Sequence, residues 1–179
     1  MQSLTLAQPA PALALLLIGS LAASPSAPAR LQVGGTFTMT YAQMNPLPVG
    51  DAEGHLLISN HATGTNRSTG RDAYMDGAAT ANTETADLTQ GNGPHEGYVI
   101  FSGGGDRTVN KWRGKITTVL GAGQQPITTF EGSWTKLSGT GRYAGVKGQG
   151  TYRGRMTGQN TYLVEWKGEI ELNERAASR

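Results

Sequence analysis

Three imidazoles are the first groups in this chain that could carry chemistry: His55, His61 and His95. Zinc catalysis needs three converging ligands and one open position. His55 and His61 are six residues apart, so on a strand they share a face but stand about 20 Å apart. They chelate no metal without ligands from other strands, and no metal site is assigned. The three read as two strand histidines and one loop histidine. The chain has no cysteine, which excludes a thiol nucleophile, a thiolate metal site and a disulfide scaffold. No Gly-x-Ser-x-Gly elbow is present, and no Ser-His-Asp order stands out. Gly103-Gly104-Gly105 is followed by no helix whose N-terminus could hold a phosphate, so no cofactor is indicated. Asn66-Arg67-Ser68 matches a glycosylation acceptor, a three-residue pattern common by chance.

Paired carboxylates do acid–base work when both face one cavity. Glu165, Glu169 and Glu171 share a face, but it is the charged, outward one. Glu131 lies opposite Phe130 and Trp134 and also points out. Asp72, Asp76 and Glu84 fall in a stretch of ambiguous pattern and could line a mouth. Alternation places no acid firmly inside, so the catalytic residues are unknown. The interior set is aromatic instead: Tyr41, Trp112, Phe130, Trp134, Tyr152, Tyr162 and Trp166. Rings with a polar tip suit a ligand cavity. An eight-stranded barrel is just wide enough to be filled by side chains or to hold one small ligand, so the same rings read as packed core or as cavity lining.

The elements that carry these rings are strands. Apolar residues recur at period two with glycine punctuation. Leu31 to Gln43 alternates, with Leu31, Val33, Phe37, Met39 and Tyr41 on one side, and Asn45-Pro46-Leu47-Pro48 is expected to break it. His55 to Thr63 is a second strand, followed by a polar turn over Asn66 to Gly70. Residues 72–88, rich in Ala and Thr, leave one or two strands or a loop open. Glu96 to Ser102 pairs with Arg107 to Leu120 across a glycine turn. Ile127 to Leu137, Gln149 to Thr157 and Tyr162 to Leu172 complete the set. The total is about eight antiparallel strands, as an up-and-down barrel or a strongly bent sandwich. Four strands repeat an aromatic and a same-face glycine two residues on: Trp112 and Gly114, Phe130 and Gly132, Tyr152 and Gly154, Trp166 and Gly168. Glycine weakens a strand, so its repetition needs a cause, and barrel closure with rings covering the gaps supplies one. The block Gly139 to Tyr152 reads as a sharp corner between two strands.

The first 29 residues carry no charge, and Ala10 to Ala23 is nearly all apolar. With Ala27-Pro28-Ala29 behind it, this segment reads as a secretory signal peptide, cleaved after Ala23 or Ala29. The organisation is then a leader over 1–29, a barrel over 30–172 and a polar tail over 173–179. The protein is expected to be exported, periplasmic or secreted, with no membrane span once the leader is removed. The formal charge is +2, but bases dominate after Gly105. The acid-free run Lys136, Arg142, Lys147, Arg153, Arg155 reads as a solvated outer face, because strand phase turns Arg153 and Arg155 outward. Rings do not interleave on that face, so nucleic acid is not an expected partner.

Gly97-Tyr98, the turn ending in Asp106, Lys111-Trp112-Arg113-Gly114, Gly132-Ser133-Trp134 and the block Gly139-Thr140-Gly141-Arg142-Tyr143-Ala144-Gly145 through Tyr152 resemble a group of exported bacterial proteins. These are the allene oxide cyclase-like barrel proteins, whose fold is shared with plant dirigent proteins. The resemblance covers Gly97 to Leu172. It implies an eight-stranded calycin-like barrel and is compatible with homo-oligomers. The turn Gly103 to Asp106 is less acidic than the family's, which argues against a cation there. Three functions remain open. One is an exported barrel that binds a small apolar or aromatic molecule without chemistry. Another is a cyclase-like or dirigent-like enzyme steering a reactive substrate, an isomerase or cyclase, which a buried carboxylate or a tyrosine cluster at one barrel mouth would favour. The third is an envelope structural or interaction protein.

Overall fold

A computed structural model describes residues 29–172. Residues 1–28 of the expected leader and the C-terminal tail over 173–179 lie outside them, while Ala29 opens the first strand. The eight strands are β1 (Ala29–Pro48), β2 (His55–Ser68), β3 (Ala79–Thr89), β4 (Gly93–Gly103), β5 (Asp106–Leu120), β6 (Pro126–Thr140), β7 (Lys147–Met156) and β8 (Thr161–Leu172). Each pairs antiparallel with its chain neighbours, and β8 returns to β1 to close the barrel. The fold is the all-β, eight-stranded closed barrel that the resemblance implies. Closure leaves no sheet edge along the paired rows, so every strand has two ladders to satisfy its backbone.

Two elements differ from the sequence reading. β1 does not break at Asn45 but runs on to Pro48, with Pro46 opposite Ile58 and Pro48 opposite Leu56. Its pairing with β8 stops at Thr40, so beyond that point β1 has a free side, where a missing proline N–H costs no ladder bond. The ambiguous stretch resolves into a connection over 69–78 and a regular strand, β3. β3 is buried on one face through Thr80, Asn82, Glu84, Ala86 and Leu88. Polar residues face inward there, so no apolar alternation shows in its sequence.

The connection 69–78 folds over one end of the barrel. Tyr74 and Met75 are buried beneath it, and Tyr74 packs edge-on against Tyr143 from the glycine corner, ring centroids 5.0 Å apart. Asn66 holds the plug. Its Nδ2 donates to the carbonyls of Tyr74 and Met75, and its Oδ1 accepts from Trp166 Nε1 at 3.1 Å. Asn66 belongs to β2 and is fully buried, so it is no turn residue, and its amide is not accessible for glycosylation in the folded barrel. The corner itself is as expected: β6 ends at Thr140, a single tight turn spans Gly141–Tyr143, and Gly141 and Gly145 take positive φ. At the opposite end of the barrel the strands are joined by the turns 49–54, 90–92, 121–125 and 157–160.

Candidate functional site

The repeated glycines mark where rings lie down. A Cβ on Gly97 would meet Trp112 Cζ2 at 2.7 Å, on Gly150 or Gly168 it would meet Trp134 Cζ2 at 2.5 Å, and on Gly35 it would meet Trp166 Cζ2 at 2.9 Å. Gly154 sits beneath Phe130. Each ring thus covers a glycine on a neighbouring strand rather than the glycine two residues along its own. The cross-strand partners are Gly97 with Trp112, Gly154 with Phe130, and Gly35 with Trp166. This is aromatic cover of glycine gaps in a curved sheet.

One row of the barrel extends the device over four strands. Tyr152 on β7 is paired with Gly132 on β6, Gly132 with Gly114 on β5, and Gly114 with His95 on β4. Both glycines are in contact with the Tyr152 hydroxyl through the position a Cβ would occupy. Three inter-strand spacings amount to about 14 Å, which a phenol and an imidazole together can bridge only if nothing stands between them. The Tyr152 hydroxyl reaches His95 Nε2 at 3.0 Å. His95 Nδ1 in turn lies 2.7 Å from Glu84 Oε1.

Both His95 and Glu84 are buried, each 5% exposed. His95 is therefore a strand residue of the interior, not the loop histidine expected, and Glu84 is an interior acid that alternation failed to place. A carboxylate only accepts hydrogen bonds, so His95 donates from Nδ1, and in its neutral form the ring offers Nε2 to accept the Tyr152 proton. Trp112 packs edge-on to His95, 4.7 Å between centroids, and lies across Gly97 to donate from Nε1 to Asn82 Oδ1 at 2.9 Å. Asn82 Nδ2 donates to Tyr162 Oη at 3.1 Å. Tyr41 stacks obliquely on Tyr162, 5.0 Å between centroids. Burial is the main cause that pushes the Tyr41, Tyr152 and Tyr162 hydroxyls well above the ordinary phenol range, and the nearby Glu84 charge adds to it. All three are held as neutral phenols.

These groups surround a cavity of about 90 Å³ inside the barrel. Tyr41, Trp112, Phe130, Trp134, Tyr152, Tyr162 and Trp166 all line it, so the rings inferred from the sequence converge on one space. Glu84, His95 and Asn82 join them, as does Lys136 near the plugged end. Half-buried Ile116, Thr128 and Met156 form the other end of the lining, where the cavity opens. The void is smaller than the roughly 150 Å³ that holds benzene in an engineered apolar cavity, so a ring-sized guest extends into the mouth.

Sequence phase held signals for the missed groups. His95 has the parity of Val99 and Phe101, which are buried. Lys136 has the parity of Phe130 and Trp134, and the run that was read as an outer face is broken there. The remaining bases do face out: Lys147 and Arg155 are exposed, Arg153 pairs with Glu165, and Arg142 pairs with Asp106. Glu131, Glu169 and Glu171 lie off the cavity, with Glu131 on Lys115 and Glu171 on Arg30. His55 and His61 also lie off it, and His55 bridges Asp51 and Asp87. Among the described residues no group of three or more His, Asp or Glu is arranged to hold a metal ion.

The class of protein that fold and interior define is a closed antiparallel barrel with a Tyr–His–Glu chain in an aromatic-lined cavity. Among solved structures, the chain is similar to the pterocarpan synthase dirigent protein GePTS1, at 12% identity and a TM-score of 0.48, over 84% of this chain and 88% of that one. It is likewise similar to the pterocarpan synthase dirigent protein PsPTS1, at 13% identity and a TM-score of 0.47, over 82% and 97%. No protein-family model and no curated protein matches the sequence.

Proposed function

We propose that the barrel binds a small, mainly apolar or aromatic molecule that bears one hydroxyl or acidic C–H, and steers its reaction by holding its shape and moving one proton. The observation that carries this reading is the Tyr152–His95–Glu84 chain facing a mainly apolar cavity. A hydroxyl placed at Tyr152 Oη gives its proton to that oxygen while the phenol passes its own proton to His95 Nε2. The imidazolium that forms is held by Glu84, so no free phenolate is needed on Tyr152. The reverse transfer returns the proton, as general acid–base catalysis requires. Tyr162, which accepts from Asn82, has its own O–H to offer a ligand oxygen. The aromatic walls exclude water and confine the guest, which raises the effective concentration of the reacting geometry. Simple storage of an apolar ligand would not need a buried carboxylate, whose burial costs free energy unless it is paired.

Tryptophan fluorescence titrated with toluene and phenol tests binding, since Trp112, Trp134 and Trp166 all line the cavity. Both probes should quench it, and Tyr152→Phe should weaken phenol more than toluene. Proton transfer is read with 4-nitrophenol in a buffer acid enough to keep the free phenol neutral. Bound phenol should turn to the yellow phenolate in the wild type and stay colourless in His95→Gln. A folded protein that responds to none of the ring-sized probes removes the reading.

A further inference from the structure

Among the described residues that line the cavity, Lys136 is the one lysine or arginine, and the Tyr–His–Glu chain has no use for it. Its Nζ lies at the plugged end of the cavity among three rings, 4.5 Å from the Tyr74 centroid, 5.5 Å from that of Trp134 and 5.8 Å from that of Phe101. None of the salt bridges among the described residues includes it. Among the described residues its only hydrogen-bond partner is the Tyr74 hydroxyl, which donates onward to Thr108 Oγ1 at 2.8 Å. Two further polar atoms of residues lining the cavity are buried without a partner among the described residues: Trp134 Nε1, a donor, and Asn110 Oδ1, an acceptor. Buried polar atoms are normally satisfied, so this end of the cavity is equipped for a polar group that the chain does not supply. Desolvation lowers the Lys136 amine to about 7, which leaves a large neutral fraction at neutral pH.

We propose that Lys136 captures a small aldehyde or ketone within the barrel as an imine. The Nζ lone pair adds to the carbonyl carbon, and the C=O π pair moves to oxygen. A proton passes from nitrogen to that oxygen, giving a carbinolamine. The nitrogen lone pair then expels the hydroxyl group, which leaves as water by taking up the proton still held on nitrogen. Amine plus carbonyl thus gives imine plus water, with nothing oxidised or reduced. The Tyr74 hydroxyl, in contact with Nζ and backed by Thr108, relays these protons. The Trp134 N–H is the donor available to the carbonyl oxygen. A desolvated lysine in an apolar pocket is the setting in which amines become carbonyl nucleophiles. The inference rests on the reading of the interior as a binding site for small apolar molecules, but not on the proton relay.

The test is reductive trapping of the full chain with benzaldehyde and cyanoborohydride, followed by peptide mapping, with toluene as the non-carbonyl isostere. Lys136 should take up a benzyl group faster than Lys111, Lys115, Lys147 or Lys167 by about tenfold or more, because an ordinary lysine is almost wholly protonated at neutral pH. Lys136→Met should lose this fast label, and Lys136→Arg should lose it as well with the positive charge retained. Toluene binding to the wild type with labelling spread over the exposed lysines and Lys136 spared would overturn the imine while leaving interior binding intact. Failure of toluene to bind, with no label at Lys136, would overturn both. Neither result depends on the variants, since both are read on the wild-type protein.

Discussion

Tyr152 and Gly114 sit two strands apart in one row of the barrel, and the hydroxyl of the first occupies the space a side chain on the second would fill. Gly132, between them, is cleared in the same way. The pair of glycines is a trough in the inner wall, and the Tyr152–His95 hydrogen bond is what the trough permits.

Filling that trough should break the bond. Gly132→Ala and Gly114→Ala each place a methyl group against the Tyr152 hydroxyl and against a neighbouring backbone carbonyl. Overpacking of this kind costs about 1–3 kcal/mol. Gly70→Ala, whose Cβ would meet only ordinary contacts at 3.5 Å or more, should stay within about 0.5 kcal/mol of the wild type. Urea unfolding reads the stabilities, and phenol affinity reads the displacement of Tyr152.

Asn66 should be among the most sensitive positions. It is fully buried and joins the plug to the wall through Tyr74, Met75 and Trp166. Asn66→Leu leaves the Tyr74 carbonyl and the Trp166 indole N–H unsatisfied, while the Met75 carbonyl keeps the Ala78 N–H, a loss of about 2 kcal/mol or more given about 1–3 for each orphaned group. Limited proteolysis should then cut within 69–78, where the wild type resists.

His55 should act as a pH-dependent clasp at the open end. Hydrogen bonds to Asp87 first and Asp51 second raise its pKa above the ordinary histidine value. A raised folded-state pKa means the clasp contributes fully below about pH 6.5 and is lost as pH rises through the raised value. Histidine NMR should show His55 titrating above the ordinary histidine value, and Asp87→Asn should bring it down. Protection of the amides near 49–54 should fall over the same window.

Lys136 should make the barrel more stable in mild alkali. Its folded-state pKa, about 7, lies below its value in the unfolded chain. Between that pH and about 10.5 the unfolded state holds the extra proton, so stability rises with pH across this window. Lys136→Met should remove the slope and raise stability at neutral pH by an amount on the order of a few kcal/mol. A wild-type slope equal to that of the Met variant would contradict the burial assigned to this amine.

Period-two alternation made much of this molecule legible in advance. Leu31 to Tyr41, Trp112 to Gly114, Phe130 to Trp134 and Tyr162 to Leu172 each declare an inward face, because a strand turns successive side chains to opposite sides and the rings are unmistakably apolar. The inward rings, their glycines and the sharp corner before β7 follow from that local rule alone. The site does not. Asn82 and Glu84 sit on a strand whose buried face is partly polar, so hydropathy cannot tell its two sides apart, and their inward direction is set only when β3 is sealed between β2 and β4. Tyr152 meets His95 only because the sheet curls shut with a particular register across β4 to β7. Lys136 becomes an isolated interior amine only when 69–78 folds over the barrel end and brings Tyr74 down on it. Alternation is a property of one strand. Which polar groups share a cavity is a property of closure, and closure depends on pairings and packing between residues far apart in the chain.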